Sequence, residues 1–133
     1  ITAYAKEMIG KYDIRCQSAD QEVRNLSGGN QQKIILAREI GDSPDLLIAM
    51  QPTRGLDIGA SSYVRTCMQN LRDRGKGVLL ISTDLDEIMQ VSDRIAVMYE
   101  GKIMGIVENS AELKAETLGL MMGGRPVEEV IAE

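Results

Sequence analysis

Histidine, phenylalanine and tryptophan are absent from this chain of 133 residues, and only two cysteines occur. Without histidine, the chain cannot build a Ser–His or Cys–His catalytic pair or a histidine metal site. Cys16 and Cys67 stand far apart and form no CxxC motif, which argues against a cysteine metal site or a thioredoxin-like redox motif. Two unclustered cysteines fit a reducing compartment such as the cytoplasm.

Basic charge is also scarce, because Lys plus Arg number 15 against 20 for Asp plus Glu, a net charge of −5. A protein held on nucleic acid through phosphate contacts shows a basic excess, and four tyrosines are too few for a base-stacking surface. We therefore expect no nucleic-acid partner. The longest apolar runs stay well below the roughly 18 residues of a membrane span.

The chain begins at Ile1 with no basic and then apolar leader, so we expect a fragment without a signal peptide. With 44% hydrophobic residues, it has enough apolar side chains for one modest domain with a core.

Three short apolar runs, at 46–50, 78–82 and 95–99, have the length and composition of strands covered on both faces. Between the first two runs, apolar residues at 64, 67, 68 and 71 follow the i, i+3, i+4, i+7 spacing of an amphipathic helix. A shorter helix is predicted to begin near Thr83 or Asp84. This alternation predicts an α/β fold with a parallel sheet and right-handed crossovers.

Four further elements are predicted outside this alternation. The first is a helix over about 1–11 with Ala5, Met8 and Ile9 inward, and the second is a helix over about 30–40, buried on more than one face. Glu100 and Gly101 predict a hairpin turn into a strand at 102–107. Ser110 is predicted to cap a last helix over about 111–122, ended by two glycines and followed by a polar tail.

The strongest chemical signal is the segment LSGGNQQ at 26–32, placed directly at a predicted helix start. A helix N-terminus presents unpaired N–H groups and the positive end of the helix dipole, which together attract phosphate. Gly28 and Gly29 would let an anion approach the backbone, and the Ser27 hydroxyl adds a donor. The alternative is that these three residues form only a turn and a helix cap.

A second signal, QPTRGLD at 51–57, follows the first predicted strand. Polar residues at the carboxyl end of a buried strand lie where open α/β sheets bind their ligands. The alternative is an ordinary strand-to-helix loop with Asp57 near the next helix start.

In this order, LSGGNQQ, a helix, a strand ending in QPTRGLD and a strand ending in STD resemble the C-terminal half of an ABC-type nucleotide-binding domain. LSGGN resembles the signature motif, QPTRGLD the Walker B region with the D-loop, and STDLDEI the switch-histidine region. Asn30, the PTRGLD wording and the MGGR segment are similar to the second nucleotide-binding domain of double-domain ATPases that serve sugar and nucleoside importers.

The resemblance implies a partial P-loop NTPase-type parallel sheet with flanking helices that lacks the Walker A half. Residues 1–25 would be the end of the helical subdomain, 26–124 the C-terminal part of the nucleotide-binding domain, and 125–133 a C-terminal tail. No G-x-x-x-x-G-K-[ST] segment occurs, so this chain alone is predicted to be inactive.

Three positions depart from the pattern of a hydrolytic ABC domain. Met50 stands where the Walker B Asp would help to hold Mg²⁺, and a thioether is a poor ligand for that hard cation. Gln51 stands at the position of the catalytic Glu, and an amide cannot take a proton from water at neutral pH. Thr83 stands at the position of the switch His. The resemblance therefore implies a degenerate site with no metal ligand of its own.

The intact signature implies a different role, because paired ABC domains close each signature over ATP held by the partner domain. Ser27, Gly28, Gly29 and Asn30 would then contact nucleotide in trans, and Asp57 would lie at the same interface as the D-loop Asp. ATP and Mg²⁺ are implied for the full-length protein, with none expected on this fragment.

The partners implied by the resemblance are the first nucleotide-binding domain of the same protein, transmembrane permease subunits and, indirectly, an extracellular substrate-binding protein. The site of action would be the cytoplasmic face of the membrane, and the cargo a simple sugar or a nucleoside. Two alternatives stay open, namely a soluble ABC-type ATPase module acting on the ribosome or DNA, and a non-catalytic dimerisation module.

Overall fold

The computed structural model describes residues 1–132, which form two compact units that meet in the sequence between Ile81 and Ser82. The first unit contains, in chain order, α1 (Thr2–Lys11), a short 3₁₀ helix (Val23–Asn25), α2 (Gly28–Ile40), β1 (Leu46–Met50), α3 (Ile58–Asp73) and β2 (Gly77–Ile81). The second unit contains α4 (Leu85–Val91), β3 (Arg94–Tyr99), β4 (Lys102–Glu108), α5 (Ala115–Met122) and α6 (Val127–Ile131). Within residues 1–132, no helix combines the length and apolar character needed to cross a bilayer.

β1 and β2 form the parallel pair that the strand–helix–strand pattern predicts. Their register runs from Leu46 opposite Gly77 to Met50 opposite Ile81, so β2 begins one residue before the predicted strand. α3 provides the crossover between them, as expected for parallel neighbours that no tight turn can join. The α/β class is therefore confirmed for the first unit.

Only one face of this parallel pair is covered by the described residues. The side chains that point toward α2 and α3 form a buried cluster with them, made of Leu36, Ile40, Leu47, Val64, Met68 and Leu71. Alternate residues of the strands point the other way and stay exposed, by 57% at Leu46, 61% at Ile48 and 71% at Met50. The prediction of strands covered on both faces is wrong for this pair, since α2 and α3 both pack on the same side of it.

The outward side chains of the pair form an open sheet face, made of Leu46, Ile48, Met50, Leu79 and Ile81. All five are apolar and exposed by 41% or more. A parallel sheet normally has both faces buried. This face therefore has the apolar composition of a buried sheet face.

The predicted N-terminal helix is confirmed as α1, which buries Met8 in a second cluster with Tyr12, Ile14 and Ala37. α2 begins at Gly28, two residues before the predicted start, because Ser27 already supplies the cap. Its burial is one-sided rather than all-round, since Ile35 remains 43% exposed.

In the second unit, β3 and β4 form an antiparallel hairpin through Glu100 and Gly101, both at positive φ (47° and 77°). Two positive φ values define a type I′ turn, whose twist matches that of the paired strands. The predicted hairpin is confirmed. β3, expected as a third parallel strand, forms its ladder with β4.

The predicted start of the helix after the hairpin is wrong. α5 begins at Ala115 with Lys114 at the cap position, not after Ser110. Ser110 instead belongs to a turn in which its carbonyl oxygen accepts the N–H of Leu113, and Leu113 packs against the buried cluster around Leu118. Because Leu113 is packed against this cluster, the chain keeps a turn at 110–113, and the helix begins only at Ala115.

Candidate functional site

Ser27 forms the N-cap of α2 at the surface of the first unit. Its backbone is extended (φ −61°, ψ 154°), and its Oγ accepts hydrogen bonds from the backbone N–H of Asn30 at 3.3 Å and from Asn30 Nδ2 at 2.9 Å. A hydroxyl oxygen has two acceptor lone pairs and one proton to donate. With both bonds arriving from Asn30, the Ser27 proton is left to donate to a group outside the helix.

Asn30 holds this arrangement through both ends of its amide. Its Oδ1 accepts the backbone N–H of Arg15 at 2.9 Å. A backbone N–H can only donate, so the amide oxygen must face Arg15 and the amide nitrogen must face Ser27. Asn30 therefore ties the loop after α1 to the first turn of α2.

The two glycines of the segment have different surroundings. A Cβ on Gly28 would lie 3.9 Å from Leu56 Cδ2, an ordinary contact, and Gly28 is exposed. A Cβ on Gly29 would lie 3.0 Å from Cβ of Ala60, which is tighter than normal packing allows. Gly29 thus has a packing role that sequence reasoning missed, because it lets α2 approach the first turn of α3.

Gln31 and Gln32, which carried no separate role in the sequence argument, hold the segment to its neighbours. Gln31 Nε2 donates to the carbonyl oxygen of Leu26 at 2.9 Å, and Gln32 Nε2 donates to that of Pro52 at 3.0 Å. The second bond links the 26–32 segment to the loop after β1. Two long amides just inside a helix start were the only sequence signal for these contacts.

The QPTRGLD loop lies beside the start of α2 in the same unit. Gln51 has a positive φ of 48°, and its N–H donates to the carbonyl oxygen of Ile81 at 2.7 Å, which extends the parallel ladder by one bond. Positive φ is uncommon for a residue with a side chain and marks a sharp change of direction at the strand end. The preceding residue, Met50, ends β1 with its side chain on the open sheet face.

Asp57 caps α3. Its Oδ1 accepts the N–H of Ala60 at 2.8 Å. Asp57 therefore lies at a helix start, as the alternative interpretation of the QPTRGLD loop predicted. Its side chain is otherwise exposed, as is that of Arg54 in the same loop. The implied role of Asp57 at a domain interface stays a prediction.

Thr83 belongs to the second unit. It is exposed and precedes Asp84, the N-cap of α4, whose Oδ1 accepts the N–H of Glu87 at 3.1 Å. Ser82 Oγ accepts the N–H of Asp84 at 3.0 Å. The STD segment thus forms a compact helix start with Thr83 at its surface.

Two ionisable groups with raised pKa values, Tyr63 and Cys67, belong to α3. Burial raises the pKa of the Cys67 thiol and that of the neighbouring Tyr63 hydroxyl above their usual values. Burial, and then the proximity of Cys67, raises the pKa of Tyr12 as well. The Lys33 ammonium lies 4.7 Å from the centre of the Tyr63 ring, in cation–π contact.

No protein-family model matches the chain. Individual relatives do match it closely. The chain is 51% identical over 124 residues to the nucleoside import ATP-binding protein NupA of Lactococcus lactis subsp. cremoris, covering 93% of this chain and 24% of that protein. It is also 51% identical over 125 residues to the guanosine import ATP-binding protein NupO of Bacillus subtilis, covering 94% and 24%. The chain is homologous to the import ATP-binding proteins of the ABC class.

A sugar importer subunit belongs to the same set of relatives. The ribose import ATP-binding protein RbsA of Lactococcus lactis subsp. cremoris is 41% identical, covering 93% of this chain and 25% of that protein. Among solved structures, the dimeric bacterial ABC transporter cassette MJ0796 superposes with a TM-score of 0.69 at 23% identity. The match covers 82% of this chain and 47% of the cassette, and it confirms the ABC cassette fold.

The chain spans about a quarter of the length of the import ATP-binding proteins that it matches. The homology thus confirms the resemblance drawn from LSGGN, QPTRGLD and STDLDEI.

Proposed function

We propose that this chain is the C-terminal part of the second nucleotide-binding domain in the ATP-hydrolysing subunit of an importer for simple sugars or nucleosides. Relatives named for nucleoside, guanosine and ribose import support this class over the ribosome- or DNA-acting alternative. The division into 1–25, 26–124 and 125–133 follows from the same proposal, and residue 133 lies outside the described residues.

The observation that carries the proposal is the hydrogen bonding of Ser27. Its hydroxyl accepts twice from Asn30, so its proton is free to donate outward at the N-terminus of a helix of 13 residues. Gly28 beside it is exposed and its first-turn N–H has no partner within the helix. This is a surface suited to a phosphate group presented by another domain.

The nucleotide in question would be ATP bound mainly by the first nucleotide-binding domain of the same protein. Ser27, Gly28, Gly29 and Asn30 would close over its terminal phosphate in trans, with Asp57 at the same interface. Within the LSGGN segment, the donors available to phosphate are a hydroxyl proton and backbone N–H groups. Both are polar, neutral donors that add to the attraction of the helix dipole without needing a metal.

The domain's own nucleotide site is proposed to be degenerate. Met50 offers a thioether where Mg²⁺ needs oxygen, and its side chain lies on the open sheet face, so it does not fit as a metal ligand. Gln51 can position water but cannot deprotonate it. Thr83 cannot act as the switch histidine. One competent site and one inert site would make the ATPase asymmetric.

The remaining half of the cassette, preceding this chain in the full-length protein, would cover the open sheet face. That face consists of five exposed apolar side chains on two parallel strands. Permease subunits at the cytoplasmic face of the membrane would be the direct partners, and an extracellular substrate-binding protein an indirect one. Without the segment that cradles ATP, this chain by itself would not hydrolyse it.

ATP turnover of the full-length protein with its permeases tests the proposal, using Ser27→Arg and Gln51→Ala. A bulky cation at Ser27 prevents close approach of the phosphate, so we expect near-complete loss of turnover. Gln51→Ala is expected to cost little, because the site that contains Gln51 does not carry the reaction. Ser62→Arg, the same change at an exposed position on α3, is the control.

Two results would contradict the proposal. Loss of turnover with both Ser27→Arg and Gln51→Ala would make Gln51 catalytic and remove the asymmetry. Unchanged turnover in both variants would show that the LSGGN segment contacts no nucleotide. In that case the chain would be an α/β scaffold rather than half of an ATP site.

A further inference from the structure

A shallow cavity of about 350 Å³ opens beside the N-terminus of α2. Ser27 and Asn30 line it together with Arg15, which comes from the loop after α1. None of its lining side chains is acidic, although the whole chain carries 20 acidic against 15 basic residues. Arg15 is the one charged residue among those that line the cavity.

Arg15 is held at this cavity through its backbone. Its N–H donates to Asn30 Oδ1 at 2.9 Å, and the same amide donates to Ser27 Oγ at 2.9 Å. A single asparagine side chain therefore fixes the spacing between the Arg15 backbone and the Ser27 hydroxyl. The position of Arg15 relative to the proposed phosphate contact is set by two hydrogen bonds rather than by a free loop.

The charge of Arg15 is not neutralised by its own chain. Among residues 1–132, no carboxylate lies within 4 Å of its guanidinium, whereas the nearby Arg24 pairs with Glu22 at 2.6 Å. The Arg15 side chain is exposed at the edge of the cavity. A guanidinium is a permanent cation with several N–H donors in one plane, a shape that matches phosphate oxygens.

We propose that Arg15 is a further nucleotide-binding residue of this surface, contacting phosphate oxygens of the nucleoside triphosphate over which Ser27 closes. The inference rests on the proposed function, which supplies the nucleotide, and adds a residue outside the LSGGN segment. Arg15 contributes charge, while Ser27 and the backbone N–H groups contribute short, directed hydrogen bonds. Its role is binding rather than proton transfer, because arginine stays protonated.

The test uses the full-length protein with its permeases and ATP as the ligand, comparing Arg15→Gln, Arg15→Lys and the control Arg24→Gln. Substituting the Arg15 side chain leaves its backbone N–H bond to Asn30 in place, so the loop keeps its anchor. We expect Arg15→Gln to raise the KM for ATP about fivefold, the upper range for an exposed charge pair, with kcat little changed. Arg15→Lys keeps the charge and is expected to recover most of the affinity.

The salt dependence of the KM for ATP provides a second readout. A merely structural role of Arg15 would not make the effect of the substitution depend on salt. Salt screens exposed charges, so the KM difference between wild type and Arg15→Gln is expected to shrink as salt rises from 0.05 to 0.5 M, a range in which the screening length falls from about 14 to about 4 Å. A difference that persists at high salt would overturn the inference.

The remaining outcomes separate this inference from the proposed function. If Ser27→Arg abolishes turnover while Arg15→Gln behaves like Arg24→Gln, the Arg15 inference fails and the signature role stands. A fall in kcat with unchanged KM for Arg15→Gln also overturns it, because binding would not be the affected step. If Ser27→Arg has no effect on turnover, both proposals fail together.

Discussion

The side-chain amide of Gln32 donates a hydrogen bond of 3.0 Å to the backbone carbonyl oxygen of Pro52. This bond joins two segments that the sequence separates by a helix and a strand, the LSGGNQQ segment and the QPTRGLD loop. Pro52 is buried, so water cannot easily replace the lost donor. The relative position of the two motifs in the first unit therefore depends in part on one glutamine.

We expect Gln32→Ala to lower the free energy of unfolding by about 1 kcal/mol, because the Pro52 carbonyl would lose its partner in a buried setting. Urea denaturation of the chain measures this change. Gln69→Ala on α3 is the matched control, since Gln69 is also half-buried and its side chain makes no hydrogen bond within residues 1–132. Equal losses in the two variants would contradict the structural role of the Gln32 bond.

Gly28→Ala and Gly29→Ala are expected to differ, although the two glycines are neighbours in one helix turn. The new methyl group meets only an ordinary contact at 3.9 Å for Gly28, but lies 3.0 Å from the Ala60 methyl group for Gly29. We expect Gly29→Ala to be less stable than Gly28→Ala by about 1 kcal/mol, the low end for overpacking. Thermal unfolding of both variants measures the difference.

The cause of that difference can be tested by restoring the space. Adding Ala60→Gly to Gly29→Ala removes the opposing methyl group, so the double variant is expected to regain stability relative to what the two single changes predict by addition. Simple additivity of the two losses would show that Gly29 and Ala60 do not constrain each other.

Two substitutions of Asp57, to Ala and to Asn, are expected to distinguish its helix-capping role from a role at a domain interface. Asp57→Ala removes the acceptor for the Ala60 N–H, at a cost of about 1 kcal/mol in the free energy of unfolding, whereas Asp57→Asn keeps an acceptor and is expected to cost little. Denaturation of the chain measures the capping effect. If Asp57→Asn nevertheless slows ATP turnover in the full-length protein, the carboxylate has a role beyond the cap.

The stability of the chain is expected to fall as the pH rises through about 8.5, the pH at which an unfolded thiol is half ionised. Burial raises the folded-state pKa of Cys67, and also those of Tyr12 and Tyr63, so the unfolded state releases these protons first. The unfolded state then binds fewer protons, and the free energy of unfolding decreases with pH. Denaturation at pH 7.5, 8.5 and 9.5 measures the trend.

Cys67→Ser is the matched variant for this trend, because its hydroxyl does not titrate in this range. The loss of stability between pH 7.5 and 9.5 is expected to be smaller in Cys67→Ser than in the wild type, and Cys16→Ser is the control. An identical pH profile for wild type and Cys67→Ser would assign the trend to other groups.

Local structure followed closely from local sequence where the signals were strong. The i, i+3, i+4, i+7 spacing of Val64, Cys67, Met68 and Leu71 predicted α3, and Glu100-Gly101 predicted the hairpin, because each pattern has one low-energy backbone solution. The first residues of the helices were harder to predict. Ser110 has the chemistry of a cap, but burial of Leu113 delayed the helix to Ala115, and that burial depends on residues distant in sequence.

For the candidate site too, some features were predictable from the sequence and others were not. The residue types and order of LSGGN, QPTRGLD and STDLDEI were enough to predict an ABC-type domain, because side-chain identity sets the chemistry that a motif can perform. The departures at Met50, Gln51 and Thr83 stay predictions. The contacts of Asn30 with Arg15, of Gly29 with Ala60 and of Gln32 with Pro52 were not predictable, because each joins residues whose distance only packing determines.

The sequence by itself thus determined the family, the helices and strands with strong periodicity, and the chemical capacity of each motif. Only the tertiary structure decided which face of the β1–β2 pair is covered and which residues hold Ser27 in place. The physical reason is that backbone propensities and side-chain chemistry act over a few residues. Packing and hydrogen bonds between distant segments, in contrast, depend on how the whole unit closes around its core.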